Sequence, residues 1–241
     1  MEAAHIIREA IAEVQRIRQE SESRRSLFDA VSAVKQFQSR RFAATYHDLL
    51  AGGPYQAAAK FFLSELYGDA NYSTRDAQFA RIAGAIQRLL PKAAIATAVC
   101  LAQLHVLTER LDLAMGRAWE QEDPPPGTMG LTRHYARAWR LTGDEESRER
   151  QLQLVLEVGR DLDTLTQAPG LRLILKMMRA PSKAAGLGDL QRFLEHGFDT
   201  FATMGQIKGA TRDFLRLIEQ RETEVFESLF SDYPSHQGEV C

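Results

Sequence analysis

Residues 61–119 read FFLSELYGDANYSTRDAQFARIAGAIQRLLPKAAIATAVCLAQLHVLTERLDLAMGRAW, and this stretch decides the fold. Phe61, Phe62, Leu63, Leu66 and Tyr67 crowd two turns of a helix. Phe62 and Leu66 stand four apart, as do Leu63 and Tyr67, so each pair shares a face, and the five together wrap most of the helix. Gly68 is placed to stop it, because glycine adopts the left-handed backbone at low cost. Ser73-Thr-Arg-Asp76 has the spacing of a capping box opening the next helix. Phe79, Ile82, Ala83, Ile86 and Leu90 carry that helix at a 3.6-residue period until Pro91 ends it.

From Ala93 to Ala102 no charged residue occurs. An uncharged helix is expected to be wrapped by others, and ten such residues fall short of the ~20 needed to cross a bilayer. The expectation is therefore a central helix near 93–118. Beyond Ala102 the pattern changes. His105, Glu109 and Asp112 fall at i, i+4 and i+7, one line along the helix, continued upstream by Ala98 and Ala102 and downstream by Gly116.

FFLSELYG followed by STRDAQFARI resembles the bacterial family named for its FFLEELY motif, and the later run LHVLTERLD is similar to it as well. The resemblance is strongest over about 60–120 and extends more weakly through most of the chain. Ser64 departs from the motif, which leaves Glu65 as its one acidic residue. The resemblance brings no catalytic residue with it.

The rest of the 241-residue chain reads as helices separated by glycine and proline. Ile7, Ala10, Ile11, Val14 and Ile17 predict a helix over 3–22. Leu27, Val31, Val34, Phe42 and Leu49 predict one over 25–50, closed by Gly52-Gly53-Pro54. Helices at 74–90 and 92–121 lead to Asp123-Pro-Pro-Pro-Gly127, a stiff linker that marks either a subdivision or a connection within one bundle. A helix over 129–141 and a second capping box, Thr142-Gly-Asp-Glu145, open the way to a helix ending near 166. Pro169-Gly170 precedes a short apolar helix over 171–179. Residues 180–188 read as loop, 189–202 and 206–231 as helices, and 232–241 as a tail. No stretch alternates as a strand does. The expected fold is all-α, a bundle of nine or ten helices in one domain over 1–231.

With 44% hydrophobic residues a substantial core is expected. A net charge of −2 and a pI near 6.3 speak against a nucleic-acid surface. Two cysteines, Cys100 in the apolar helix and Cys241 at the end, give no disulfide framework. The N-terminus has no apolar signal region and the chain no uninterrupted apolar run of 18, so the expectation is a cytoplasmic protein with no membrane partner.

Site chemistry is sparse. A di-iron bundle needs two Glu-x-x-His pairs, and one is present, Glu2-x-x-His5. No phosphate loop, nucleophile elbow, His-Glu-x-x-His or Cys-x-x-Cys occurs. The line His105, Glu109, Asp112 can pair an imidazole with carboxylates, and Glu65 and Asp76 are the acids expected to join it as ligand-binding residues. The same line also reads as a polar seam between helices. No catalytic residue, metal ligand or cofactor is assigned. The leading expectation is a non-catalytic interaction or regulatory protein, a homodimer or the binder of another protein through an amphipathic helix of the N-terminal pair or the last helix. The alternative is a helical protein binding a small molecule or cofactor beside His105.

Overall fold

The computed structural model describes residues 3–65, 72–122 and 127–231, and among these no strand occurs. The chain is all-α. Its helices are α1 (Ala3–Glu22), α2 (Arg25–Thr45), α3 (His47–Ala51), α4 (Gln56–Glu65), α5 (Ser73–Leu89), α6 (Lys92–Trp119), α7 (Thr128–Thr142), α8 (Glu145–Gln167), α9 (Leu171–Met177), α10 (Arg179–Ala184), α11 (Gly188–Met204) and α12 (Ala210–Phe230). Ten of them have seven or more residues. The expected stop at Gly68, the proline linker through Pro126, Glu2 and the tail from Asp232 lie outside the described residues.

α6 runs through the bundle, with α1, α2, α7 and α8 packed along it. Its burial is the reverse of the expectation. Thr97 and Ala102 are buried within the uncharged first third, yet Ala93 and Ala96 are exposed and the rest half-buried. The more enclosed part is the charge-bearing half, where Glu109, Leu111, Asp112, Leu113, Met115 and Trp119 are buried while Arg110 and Arg117 face outward. The reason is neighbours: α1, α2 and α7 cover that half, and pairing within the bundle removes the usual objection to burying charge. By length and composition α6 also passes as a membrane-crossing helix.

Phe61 and Phe62 are anchors of the core. Phe61 and Phe62 sit in the largest apolar cluster, with Tyr46, Leu104, Leu152, Leu156, Phe201 and Phe214. Phe62 meets Phe214 edge-on at 5.4 Å, and Phe61 stacks on Phe193 at 5.9 Å. Each such ring contributes about 1.5–3 kcal/mol through burial. These contacts tie α4, before the proline linker, to α11 and α12, after it, so the helices on either side of the linker share one core.

Several boundaries shift for tertiary reasons. The helix expected over 25–50 breaks at Tyr46, whose φ of −111° and ψ of 21° leave the helix. Its buried hydroxyl donates to Glu222 Oε1 at 2.9 Å, and Arg221 donates to the Thr45 carbonyl. Part of the expected loop 180–188 is helical as α10. The last helix starts at Ala210, four residues late, because Gly209 at φ +80° is a left-handed N-cap. At the second expected capping box the cap is Asp144, whose carboxylate accepts from the Ser147 N–H, and not Thr142. At the first, Tyr72 holds the N-cap position without a side-chain cap bond, and Asp76 is used elsewhere.

Candidate functional site: a buried layer of charge between α1, α2, α5 and α6

The line on α6 meets three other helices. Ile7, Ile11, Val14, Arg18 and Ser21 follow one stripe along α1 at spacings of four and three, and every step but Arg18 is buried. On α2 the stripe Leu27, Val31, Val34 continues to Gln38 and Arg41. Each stripe turns polar at the level where α6 carries His105, Glu109 and Asp112. Apolar packing lies on both sides: Ile7, Ile11, Phe79 and Ile86 toward one end, Ile17, Leu27 and Leu113 toward the other.

Glu109 is held by two cations. Its Oε1 accepts from Arg18 Nε at 3.1 Å and Nη2 at 2.7 Å, and its Oε2 accepts from Lys35 Nζ at 2.9 Å. Asp76 Oδ2 accepts from Arg18 Nη1 at 2.8 Å and lies 2.9 Å from His105 Nε2. The same His105 Nε2 lies 3.4 Å from Arg18 Nη2. Asp112 Oδ1 accepts from Gln38 Nε2 at 3.1 Å, and its other oxygen lies 3.7 Å from Lys35 Nζ.

The three acids are all buried and do not titrate alike. Burial works to raise the Asp76 pKa, but the His105 hydrogen bond and the nearby Arg18 and Arg75 outweigh it, so the carboxyl is held below its usual value. For Glu109 burial is likewise outweighed, here by Lys35 and Arg18. Asp112 goes the other way. Burial dominates, the charge on Glu109 adds to it, and Lys35 does not compensate, so its pKa is raised. Arg18 keeps its proton more firmly than usual: burial opposes this, but Glu109 and Asp76 prevail.

Of the five residues expected at a site, four converge: His105, Glu109, Asp112 and Asp76. Glu65 does not join them. It ends the motif helix α4, accepts from Arg75 Nη1 at 2.8 Å, and sits 3.9 Å from His196 Nδ1. The Arg75 guanidinium is layered over the Tyr72 ring at 4.1 Å and the Phe193 ring at 4.4 Å. Glu65 therefore joins α4 to α5 in a neighbouring pair. The residues that sequence reasoning missed are the cations and amide facing the line, Arg18, Lys35 and Gln38. Their signal was present: Arg18 and Gln38 occupy the next steps of stripes that are otherwise apolar.

The layer is closed on itself. Guanidinium and ammonium groups occupy the carboxylate faces where a metal would sit, and among the described residues no three His, Cys, Asp or Glu side chains group as a metal site. An open groove of about 460 Å³ is lined by Ser73, Thr74, Ala77, Gln78, Arg81 and Gly186, and a cleft of about 10 Å³ adjoins His134; neither is lined by the layer. His134 itself is buried, with Nε2 3.1 Å from the Trp119 carbonyl and its ring edge-on to Trp119. Cys100 lies 3.7 Å from Glu157, and burial followed by that carboxylate pushes its thiol up to about 11, the opposite of a nucleophile's tuning.

The family model for a domain of unknown function, DUF8198, matches residues 17–236. The chain belongs to the DUF8198 family. The matched span begins one residue before Arg18 and takes in every member of the charged layer, together with the Glu65–Arg75 pair. No curated protein and no solved structure matches this DUF8198 chain.

Proposed function

We propose that this DUF8198 protein is a non-catalytic interaction or regulatory module of the cytoplasm, related to the bacterial FFLEELY-motif proteins through its Phe61–Tyr67 string. One observation carries the reading: Leu173, Ile174, Met177 and Met178 stand exposed together on and just after α9, Met177 at 68% of its full accessibility. Large apolar side chains gathered on a surface mark a contact for another molecule. The amphipathic faces first expected to supply that contact are used inside the bundle. Ile7, Ile11 and Val14 of α1 and Phe214 and Ile218 of α12 are all buried.

A second reading, a small-molecule or cofactor-binding protein, is favoured by the convergence of Asp76, His105, Glu109 and Asp112. A ligand there has to displace Arg18 or Lys35 from Glu109. An absorbance spectrum and metal analysis of the purified chain separate the two readings. A stoichiometric chromophore or metal overturns the interaction reading. A self-association or complex seen by light scattering, and lost in a folded Leu173→Ser/Met177→Ser variant, supports it.

A further inference from the structure

The segment from Arg172 to Gly186 is the most outward part of the described chain. Of its fifteen residues only Leu175 and Ser182 are drawn in. The base is nonetheless firm. Leu171 packs with Leu165 and Phe198, and Leu175 packs against that cluster. Gln191 Nε2 donates to the Leu175 carbonyl at 2.7 Å, and Ser182 Oγ donates to Gln191 Oε1 at 3.1 Å. α9 and α10, joined through Met178 in helical backbone, thus form a bent pair of short helices standing on α11.

What this pair presents has a defined chemistry. Leu173 and Met177 are four apart and form the outermost line, 61% and 68% exposed, while Ile174 and Met178 form the next line, beside the inward Leu171 and Leu175, and are 43% and 40% exposed. Between Gly170 and Gly188 the chain carries Arg172, Lys176, Arg179 and Lys183 and no acidic residue. Arg172 and Arg179 are drawn to Asp199 and Glu195 of α11, at 2.9 and 2.7 Å, which fixes the base. Lys176 and Lys183 are exposed, Lys176 within electrostatic reach of Glu195, and with the two arginines they leave this segment itself positive.

We propose that the α9–α10 pair docks on an anionic lipid surface, with Leu173, Ile174, Met177 and Met178 entering the apolar boundary and Lys176 and Lys183 meeting the headgroups. This rests on the interaction reading above, names its partner, and departs from the sequence expectation of no membrane partner. Apolar residues on a projecting tip need no matching groove in lipid, and flexible methionines adapt to it. An apolar face flanked by lysines is the composition of interfacial helices, which lie on a membrane and need no spanning segment. A second copy fits less well, because residues 171–187 carry basic charges and no acid, so two such segments face to face offer each other no acidic partner.

The test is co-sedimentation of the full chain with vesicles of phosphatidylcholine alone and with phosphatidylglycerol mixed in. Binding is expected on the mixed vesicles, weakened by salt, and weak on phosphatidylcholine alone. Lys176→Gln/Lys183→Gln is expected to weaken it about thirtyfold, and Leu173→Ser/Met177→Ser to abolish it, both at unchanged melting temperature. Equal binding to both vesicles, no binding, or binding indifferent to these variants overturns the proposal. A dimer, or a complex with an acidic protein, that these variants break while vesicles are ignored also overturns it, and leaves the interaction reading standing. A bound chromophore or metal removes that reading instead.

Discussion

Arg18 Nη2 lies 2.7 Å from Glu109 Oε1, across ninety-one residues of sequence, and the same guanidinium reaches Asp76 at 2.8 Å. One side chain from α1 thereby neutralises acids on α5 and α6. The Glu109 and Asp76 side chains are 7% and 6% exposed, so neither is served by water if the cation leaves. Removing one partner of a buried pair costs about 3–5 kcal/mol because the remaining charge loses its counter-ion, and the low end applies here because Glu109 keeps Lys35 and Asp76 keeps His105. Arg18→Met is expected to lower the unfolding free energy by about 3 kcal/mol, read by urea denaturation. Adding Glu109→Gln is expected to cost much less than the sum of the two single changes, since it removes the stranded charge. Additive losses would show that the pair is not coupled.

Acid titration separates the three carboxylates. Asp76 and Glu109 have lowered pKa values in the fold, so the unfolded chain binds more protons in the acid range. Their stabilisation is present above the unfolded-state pKa and is lost as pH falls through the folded values. Asp112 has the opposite sign. Its raised pKa stabilises the fold below the unfolded value, and that contribution is lost as pH rises through the folded one. Asp112→Asn keeps an acceptor for Gln38 and carries no charge to bury. It is expected to be as stable as the parent or more so at neutral pH, while Glu109→Gln is less stable there. Denaturation midpoints against pH check both, and a marked loss for Asp112→Asn would contradict the assignment.

The bundle was readable because its stripes are continuous: Ile7 to Val14 on α1, Leu27 to Val34 on α2, and Ala98 to Gly116 on α6 each keep helical spacing. The layer was half readable for the same reason. The α6 line declared itself by three charged or ionisable residues in a row at helical spacing. Arg18 and Gln38 each look like a solvated residue until the facing helix is known. The uncharged run on α6 stays half-exposed because lack of charge permits enclosure without supplying neighbours. The break at Tyr46 has no local signal, because its partner, Glu222, is 176 residues away.

That partnership makes its own prediction. Glu222 is 1% exposed and accepts from Tyr46 at 2.9 Å and from Arg41 Nη1 at 2.6 Å, fastening α12 to the α2–α3 corner. Tyr46→Phe removes one hydrogen bond to a charged group and is expected to cost about 1.5–3 kcal/mol. Glu222→Ala removes the anion facing Arg41 and is expected to cost more, about 3–5 kcal/mol. Thermal unfolding ranks them, and the reverse order would move the weight from the ion pair to the phenol.

Gly116 closes the α6 line, and its role is steric. A β-carbon there would meet the Val31 side chain and lie 3.2 and 3.3 Å from the Val31 backbone nitrogen and Cα. Side chains can turn away, but the α2 backbone cannot without moving Lys35 and Gln38, one and two turns further along. Alanine is worth about 1 kcal/mol over glycine as a helix former, whereas forced overpacking costs about 1–3 kcal/mol. Gly116→Ala is therefore expected to destabilise on balance. At Gly159 the close contacts are with the Leu215 side chain alone, at 2.5 and 3.2 Å to its methyls, so strain can be relieved by a rotamer change and Gly159→Ala is expected to cost less. Measuring both variants by denaturation decides the point. Equal costs would mean that α2 yields as easily as a leucine side chain, and the close approach of α2 to α6 would then not be what holds Lys35 over Glu109.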